Sequence, residues 1–279
     1  MKLFLFICLL SFGSSVSFLP NIKQKASYLP KLVRLQNVPP TILFSTLGPI
    51  LQTHRFDSIL SIDVQKSIFI SCFFAMASCV INDCFDYKID RINRPDRIIA
   101  SNKVSIKEGF FISFLLFTIP LLVSHYFRYN YITDFITWFS FQNLIIYTPI
   151  FKKIPVVKNI VCSHIISSSI LYSGISASNF ILSNNHILDP NKNKLFQIWN
   201  LCDPALQHLY IGLFFVVMIR EINFDIDDMY GDKSSNINTI PLLIGIKKTK
   251  WLCSFFYWIA YSELLFSAII YLNRIIPVI

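Results

Sequence analysis

The stretch Asn82-Asp83-Cys84-Phe85-Asp86-Tyr87-Lys88-Ile89-Asp90-Arg91-Ile92-Asn93-Arg94-Pro95-Asp96-Arg97 leaves the end of an apolar run that begins near Val64. Asn82, Asp86 and Asp90 are spaced i, i+4, i+8, so on a helix they stack along one face. An Asp at mid-membrane costs roughly 2.5–3.5 kcal/mol to insert. An acidic face that continues a membrane-length helix therefore looks into water or a polar cavity. A second stretch repeats the pattern: Glu221, Asp225, Asp228 and Asp232 follow another apolar run. Nine of the sixteen Asp and Glu residues fall in these two segments, a concentration that a merely solvated surface does not need.

Working outward, the chain of 279 residues is 54% hydrophobic and only 15% charged, with a mean hydropathy of +0.54. Soluble domains carry roughly 25% charged residues. Apolar stretches of about 17–25 residues are long enough to cross a ~30 Å hydrocarbon core as helices. The seven glycines and the lack of alternating patterning argue against a transmembrane barrel. The expected fold is all-α, a multi-pass transmembrane helical bundle of about seven spans, near 38–53, 64–82, 109–126, 131–150, 156–178, 204–222 and 251–272.

The net charge of +9 sits in short loops and excludes a nucleic-acid-binding face. Thirteen Lys and Arg follow the second, fourth and sixth spans, against six on the other side with the tail. That bias places the even-numbered exits, and with them both acidic segments, on the cytoplasmic or stromal face. The seven cysteines lack CxxC spacing and read as small buried hydrophobes.

Residues 1–34 are expected to be a leader. Met1-Lys2, an apolar run from Leu3 to Phe12 and small residues before Val16-Ser17-Phe18 make a signal peptide. The acid-free, basic continuation through Lys23, Lys25, Lys31 and Arg34 has the character of a transit segment. The Phe18 junction resembles the bipartite leaders of algae with secondary plastids, which points to a plastid membrane, with an endomembrane as the alternative. Residues 35–279 then form one membrane domain.

Two carboxylate faces at one end of a bundle, with no His or Cys among them, make a hard-oxygen site suited to Mg²⁺, which binds through a few carboxylates plus substrate phosphates. Arg91, Arg94, Arg97 and Lys103 flank the first segment and Arg220 and Lys233 the second, while Lys152, Lys153 and Lys158 leave the fourth span on the same side. Such bases hold the charge that remains on a metal-bridged diphosphate.

The same residues resemble the signatures of the UbiA-type intramembrane prenyltransferases. Asn82 to Arg97 is similar to the family's NDxxDxxxD and NRPxRP, and Asp225-x-x-Asp228-x-x-Gly231-Asp232 to its DxxDxxxD. Tyr147-Thr148-Pro149 with Lys152-Lys153 resembles its Tyr-x-x-x-x-Lys segment. The resemblance implies a helical bundle, usually of nine transmembrane helices. It also implies prenyl transfer from an isoprenoid diphosphate to an aromatic or other lipid-precursor acceptor, of quinone, tocopherol, chlorophyll or geranylgeranylglyceryl-phosphate type. It implies that Asn82, Asp86, Asp90, Asp225, Asp228 and Asp232 hold Mg²⁺, that Asp86, Asp90, Asp225 and Asp228 carry catalysis, and that Asn82, Arg94, Arg97, Tyr147 and Lys152 bind substrate. Ile98 and Asn102 depart from the family's Pro and Gly, and helices eight and nine have no counterpart before Ile279. A truncated, inactive relative and a divalent-cation carrier are the competing classes; a carrier would place its carboxylates near mid-membrane.

Overall fold

In the computed structural model the described residues are 19–126, 131–178, 194–234 and 237–275. Among them there is no strand, and the helices follow in order: α1 Leu19–Leu32, α2 Val38–Thr53, α3 Ile62–Asn93, α4 Ile106–Tyr126, α5 Tyr131–Tyr147, α6 Val157–Ala177, α7 Lys194–Leu201, α8 Pro204–Asp227, α9 Met229–Ser234, α10 Ile240–Ile244 and α11 Ile246–Ile275. Each of the seven expected spans coincides with a helix. Four of them, α3, α4, α6 and α11, are long and apolar enough to cross a membrane. The bundle is completed by α2 and α5, of 16 and 17 residues, and by α8, whose last turns carry Arg220, Glu221 and Asp225.

The second span, expected to end at residue 82, continues unbroken to Asn93. Nothing in its sequence interrupts the helix before Pro95, which bars Arg94 from helical geometry and leaves it at φ −144°, ψ 65°. At 32 residues α3 is about 48 Å long, well beyond a hydrocarbon core of about 30 Å. The second acidic series departs from the expectation of one continuous helix. Asp203 caps the start of α8 by accepting from the Ala205 amide at 2.8 Å, with Pro204 in the first turn, but α8 stops at Asp227. Asp228 lies between helices and Asp232 rides on α9. The last span is longer than expected because Gly245, at φ 81°, turns α10 directly into α11.

The core forms where α3 packs on α4 and α6 lies between α2 and α8, with α11 against α8. Gly48 on α2 and Gly174 on α6 bring two backbones together: a Cβ at Gly174 would sit 3.1 Å from the Gly48 carbonyl oxygen. Of the leader expected over 1–34, residues 1–18 lie outside the described residues. The remainder, 19–34, folds onto the bundle. Leu32 is fully buried against the α3–α4 core, and Tyr28, Leu29 and Val33 pack beside it. Lys25 pairs with Glu108 at 2.6 Å and Lys31 with Asp96 at 3.3 Å, while the Lys103 ammonium lies 5.5 Å from the Tyr28 ring centre.

The end of the bundle away from the acidic segments is tied by Asp203. Its carboxylate meets His54 Nε2 at 3.0 Å and the Arg274 guanidinium, and its amide donates to Gln52 Oε1 at 2.9 Å. One residue thereby joins α2, α8 and α11.

Candidate active site

A cavity of about 710 Å³ opens where α3 and α8 end and runs down between α2, α3, α5 and α6. Its mouth is ionic and its depth largely apolar, with Phe44, Ile70, Phe74, Leu144, Ile165 and Ile166 on the walls. All ten residues singled out from the sequence (Asn82, Asp86, Asp90, Arg94, Arg97, Tyr147, Lys152, Asp225, Asp228 and Asp232) line it. The two acidic segments, far apart in the chain, thus face one space, as the charge parity of the loops requires.

Within the mouth each carboxylate is matched to a base. Lys152 Nζ pairs with Asp86 and donates to Asn82 Oδ1 at 3.0 Å. Arg97 reaches Asp90 at 2.6 Å and Asp83 at 3.3 Å. Arg94 grips Asp228 with both nitrogens, at 3.0 and 3.4 Å, while Asn93 Nδ2 donates to the Asp228 carbonyl at 3.5 Å. Asp225, buried, accepts from Lys158 at 2.5 Å and from Asn159 at 3.0 Å. The turn from α8 into α9 carries Asp228 onto Arg94 and Asn93 and places Asp232 in the lining of the same cavity.

Asp232 differs: among the described residues it has no ion pair within 4.0 Å, although it is 7% exposed. Burial pushes its carboxyl up to about 6; Asp225 and Asp228 add to the rise, and Lys158 and Lys152 oppose it.

Among the described residues no three Asp, Glu, His or Cys side chains gather closely enough to hold an ion. A buried carboxylate without a counter-charge is costly, so each takes the nearest base instead. The donor chemistry nevertheless fits a hard cation: Asn82, Asp86, Asp90, Asp225, Asp228 and Asp232 offer only oxygens toward the shared space, and Asp232 is a buried carboxylate left without a cation of its own.

Several site residues escaped the sequence reading. Asp83, grouped with the acidic segment but given no role, is 4% exposed and clasped by Arg34 and Arg97. Arg34 had been assigned to the leader because its neighbourhood is basic and acid-free. Lys158 and Asn159, at the start of α6, were legible only as bases or polar residues on the right side of the membrane. Tyr147, Cys162 and Glu221 all line the wall; Glu221 belongs to the acidic face expected from its spacing, whereas no spacing signals Cys162.

A bundle whose paired, opposed carboxylate helices close one end of an apolar cavity defines a class of intramembrane proteins. The UbiA prenyltransferase family model matches residues 56–279, and the chain belongs to that family. It is 34% identical over 176 residues to a digeranylgeranylglyceryl phosphate synthase of Methanosarcina mazei, covering 63% of this chain and 53% of that protein. The match thus spans about half the relative's length. In fold it is similar to a UbiA homologue from Aeropyrum pernix (TM-score 0.68, 16% identity, 85% of this chain and 80% of the other). It is also similar to a UbiA homologue from Archaeoglobus fulgidus bound to GPP and Mg²⁺ (TM-score 0.58, 14% identity, 87% and 78%). The chain is an integral, multi-pass membrane protein of this family.

Proposed function

We propose that the protein transfers a prenyl group from an isoprenoid diphosphate to a prenylated glycerol phosphate within the membrane. The observation that carries this reading is the cavity itself: an apolar channel whose mouth holds seven basic and six acidic side chains, most of them ion-paired. A prenyl diphosphate divides into the same two parts. Arg94, Arg97, Lys152 and Lys158 hold carboxylates that they can exchange for phosphate oxygens, Arg as a planar fork and Lys as a point charge. The carboxylates they release, Asp86, Asp90, Asp225 and Asp228 with Asn82 and Asp232, are those that would hold Mg²⁺. When bound, Mg²⁺ neutralises charge on the leaving diphosphate.

The chain's own groups do the rest. The bases stabilise the departing diphosphate as the allylic C–O bond weakens, and Asp83 keeps Arg97 in place. Phe44, Phe74 and Tyr147 line the channel, where an allylic cation would be captured by the acceptor hydroxyl, whose proton leaves with the departing diphosphate. The glycerol phosphate acceptor rests on the name of the Methanosarcina relative and on the basic surplus of the mouth, which suits a second anionic substrate. It replaces the quinone, tocopherol and chlorophyll acceptors considered from the sequence. A plastid address rests on residues 1–34 alone, and the archaeal relatives lend it no support.

The test is prenyl transfer by the full chain in liposomes, with labelled geranylgeranyl diphosphate, Mg²⁺, and geranylgeranylglyceryl phosphate set beside aromatic acceptors. Product should form with the glycerol phosphate and vanish with EDTA, Asp86→Ala or Asp228→Ala. Transfer to an aromatic acceptor alone would overturn the acceptor, and no transfer by folded protein would overturn the activity.

A further inference from the structure

The cavity has a floor. Its lining on α3 stops at Ile70, on α5 at Thr137 and on α6 at Tyr172. Ile70 is fully buried, and Thr137 and Tyr172 are 1% and 6% exposed. Thr137 Oγ1 and Tyr172 Oη are hydrogen-bonded at 2.9 Å, and Thr137 also donates back to the Thr133 carbonyl at 2.8 Å. The pair therefore ties α5 to α6 at the depth where the lining ends.

Behind the pair the character of the interior changes. Lys66 is buried there, in the field of Asp134 and Asp63, and Ser124 donates to Asp134 at 2.8 Å. Asp134 and Asp63 also lie close enough to act on the Tyr172 hydroxyl. An apolar chain that displaced Tyr172 would have to strip these charged and hydroxyl groups of their partners, which is expensive in a low-dielectric interior. The floor is thus closed twice, by a rigid hydrogen-bonded pair and by the polar layer beneath it.

Its depth can be measured along the helices. From Asn82 to Ile70 α3 descends about 18 Å, and from Lys158 to Tyr172 α6 descends about 21 Å, at about 1.5 Å per residue. An extended isoprene unit adds four carbon–carbon bonds of about 1.5 Å in zigzag, or about 4–5 Å of length. Four units fill the channel from the ionic mouth to the floor, and a fifth meets Tyr172.

We propose that Thr137 and Tyr172 are the specificity-determining floor of the prenyl channel and set its capacity at four isoprene units. This rests on the prenyl-transfer reading above. Ser169, one turn nearer the mouth than Tyr172 on α6, also lines the channel and offers the converse handle. A bulky side chain there raises the floor.

The experiment uses the full chain in lipid nanodiscs and non-hydrolysable prenyl thiolodiphosphates of two, three, four and five units, with kcat/KM measured for the matching diphosphates. The natural protein should bind the four-unit probe at least tenfold more tightly than the five-unit one. Tyr172→Ala should abolish that discrimination, and Ser169→Phe should shift the preference to three units. Should Tyr172→Ala fail to fold, Ser169→Phe alone decides. Equal binding of four- and five-unit probes, or a profile that neither variant moves, would overturn the floor and leave prenyl transfer standing. Failure to bind any probe of this series would remove the prenyl reading, and the floor with it.

Discussion

Arg34 and Asp83 provide the sharpest test of how the site is held. Asp83 is 4% exposed and lies between two guanidinium groups, Arg34 at 25% and Arg97 at 16% side-chain exposure. Removing one partner of a buried pair costs about 3–5 kcal/mol, because the remaining charge is stranded. Asp83→Ala strands Arg34, which keeps some access to water, while Arg97 stays paired with Asp90, so the expected loss is about 3 kcal/mol. Arg34→Ala leaves Asp83 still paired with Arg97, and about 1–2 kcal/mol is expected from the lost charge-assisted hydrogen bond. Once Asp83 is gone, losing Arg34 should cost little, which predicts a coupling of about 1–2 kcal/mol in a double-mutant cycle. Reversible unfolding in mixed micelles supplies the four stabilities, and protease cutting within 19–34 reports whether α1 has come loose. Additivity within about 0.5 kcal/mol, with α1 equally protected in all four proteins, would refute the idea that this ion pair fastens the arm to the site.

Other expectations follow from single features. Asp232→Asn should raise the stability of the ligand-free protein at pH 7 by up to about 3 kcal/mol. The sign follows from burial: the fold favours the protonated acid, so its contribution is present below the ordinary value of 3.8 and is lost as pH rises through about 6. The difference between variant and parent should therefore disappear near pH 4 in thermal melts. Arg94→Lys keeps the charge but loses the two-pronged grip on Asp228, and should weaken diphosphate binding about tenfold in a competition assay. Gly48→Val should prevent accumulation of folded protein, because its side chain would enter the Ile170 backbone and Ser173, and volume cannot be accommodated at a backbone crossing; normal yield and melting temperature would count against that crossing.

The bundle was largely legible because apolar run length and loop charge are properties of contiguous sequence. Its ends were less so. Where α3 stops depends on Pro95, a local signal, but the break between Asp227 and Asp228 has no such marker and arises from packing of α9 against α3. The acidic half of the site was visible in its helical spacing. Its pairing was not, because Lys158 with Asp225 and Arg94 with Asp228 join residues far apart in the chain. Arg34 was hidden for a different reason: basic, acid-free composition describes a targeting segment and a helix braced on acidic partners equally well. The floor at Thr137 and Tyr172 carries no motif at all, only two hydroxyl side chains on different helices.

The excess length of α3 over the hydrocarbon thickness has a consequence for supply. Its acidic turns carry the mouth beyond the length a hydrocarbon core needs, and the apolar depth of the channel lies below them between the helices. A ligand with a charged head and a long tail is already oriented for this mouth when it lies in the leaflet, and it arrives by lateral diffusion rather than through the aqueous phase. The rate is then governed by the number of such molecules per unit area of bilayer. Diluting the membranes in buffer should leave the rate per protein unchanged, whereas diluting the substrate with inert lipid should slow it in proportion.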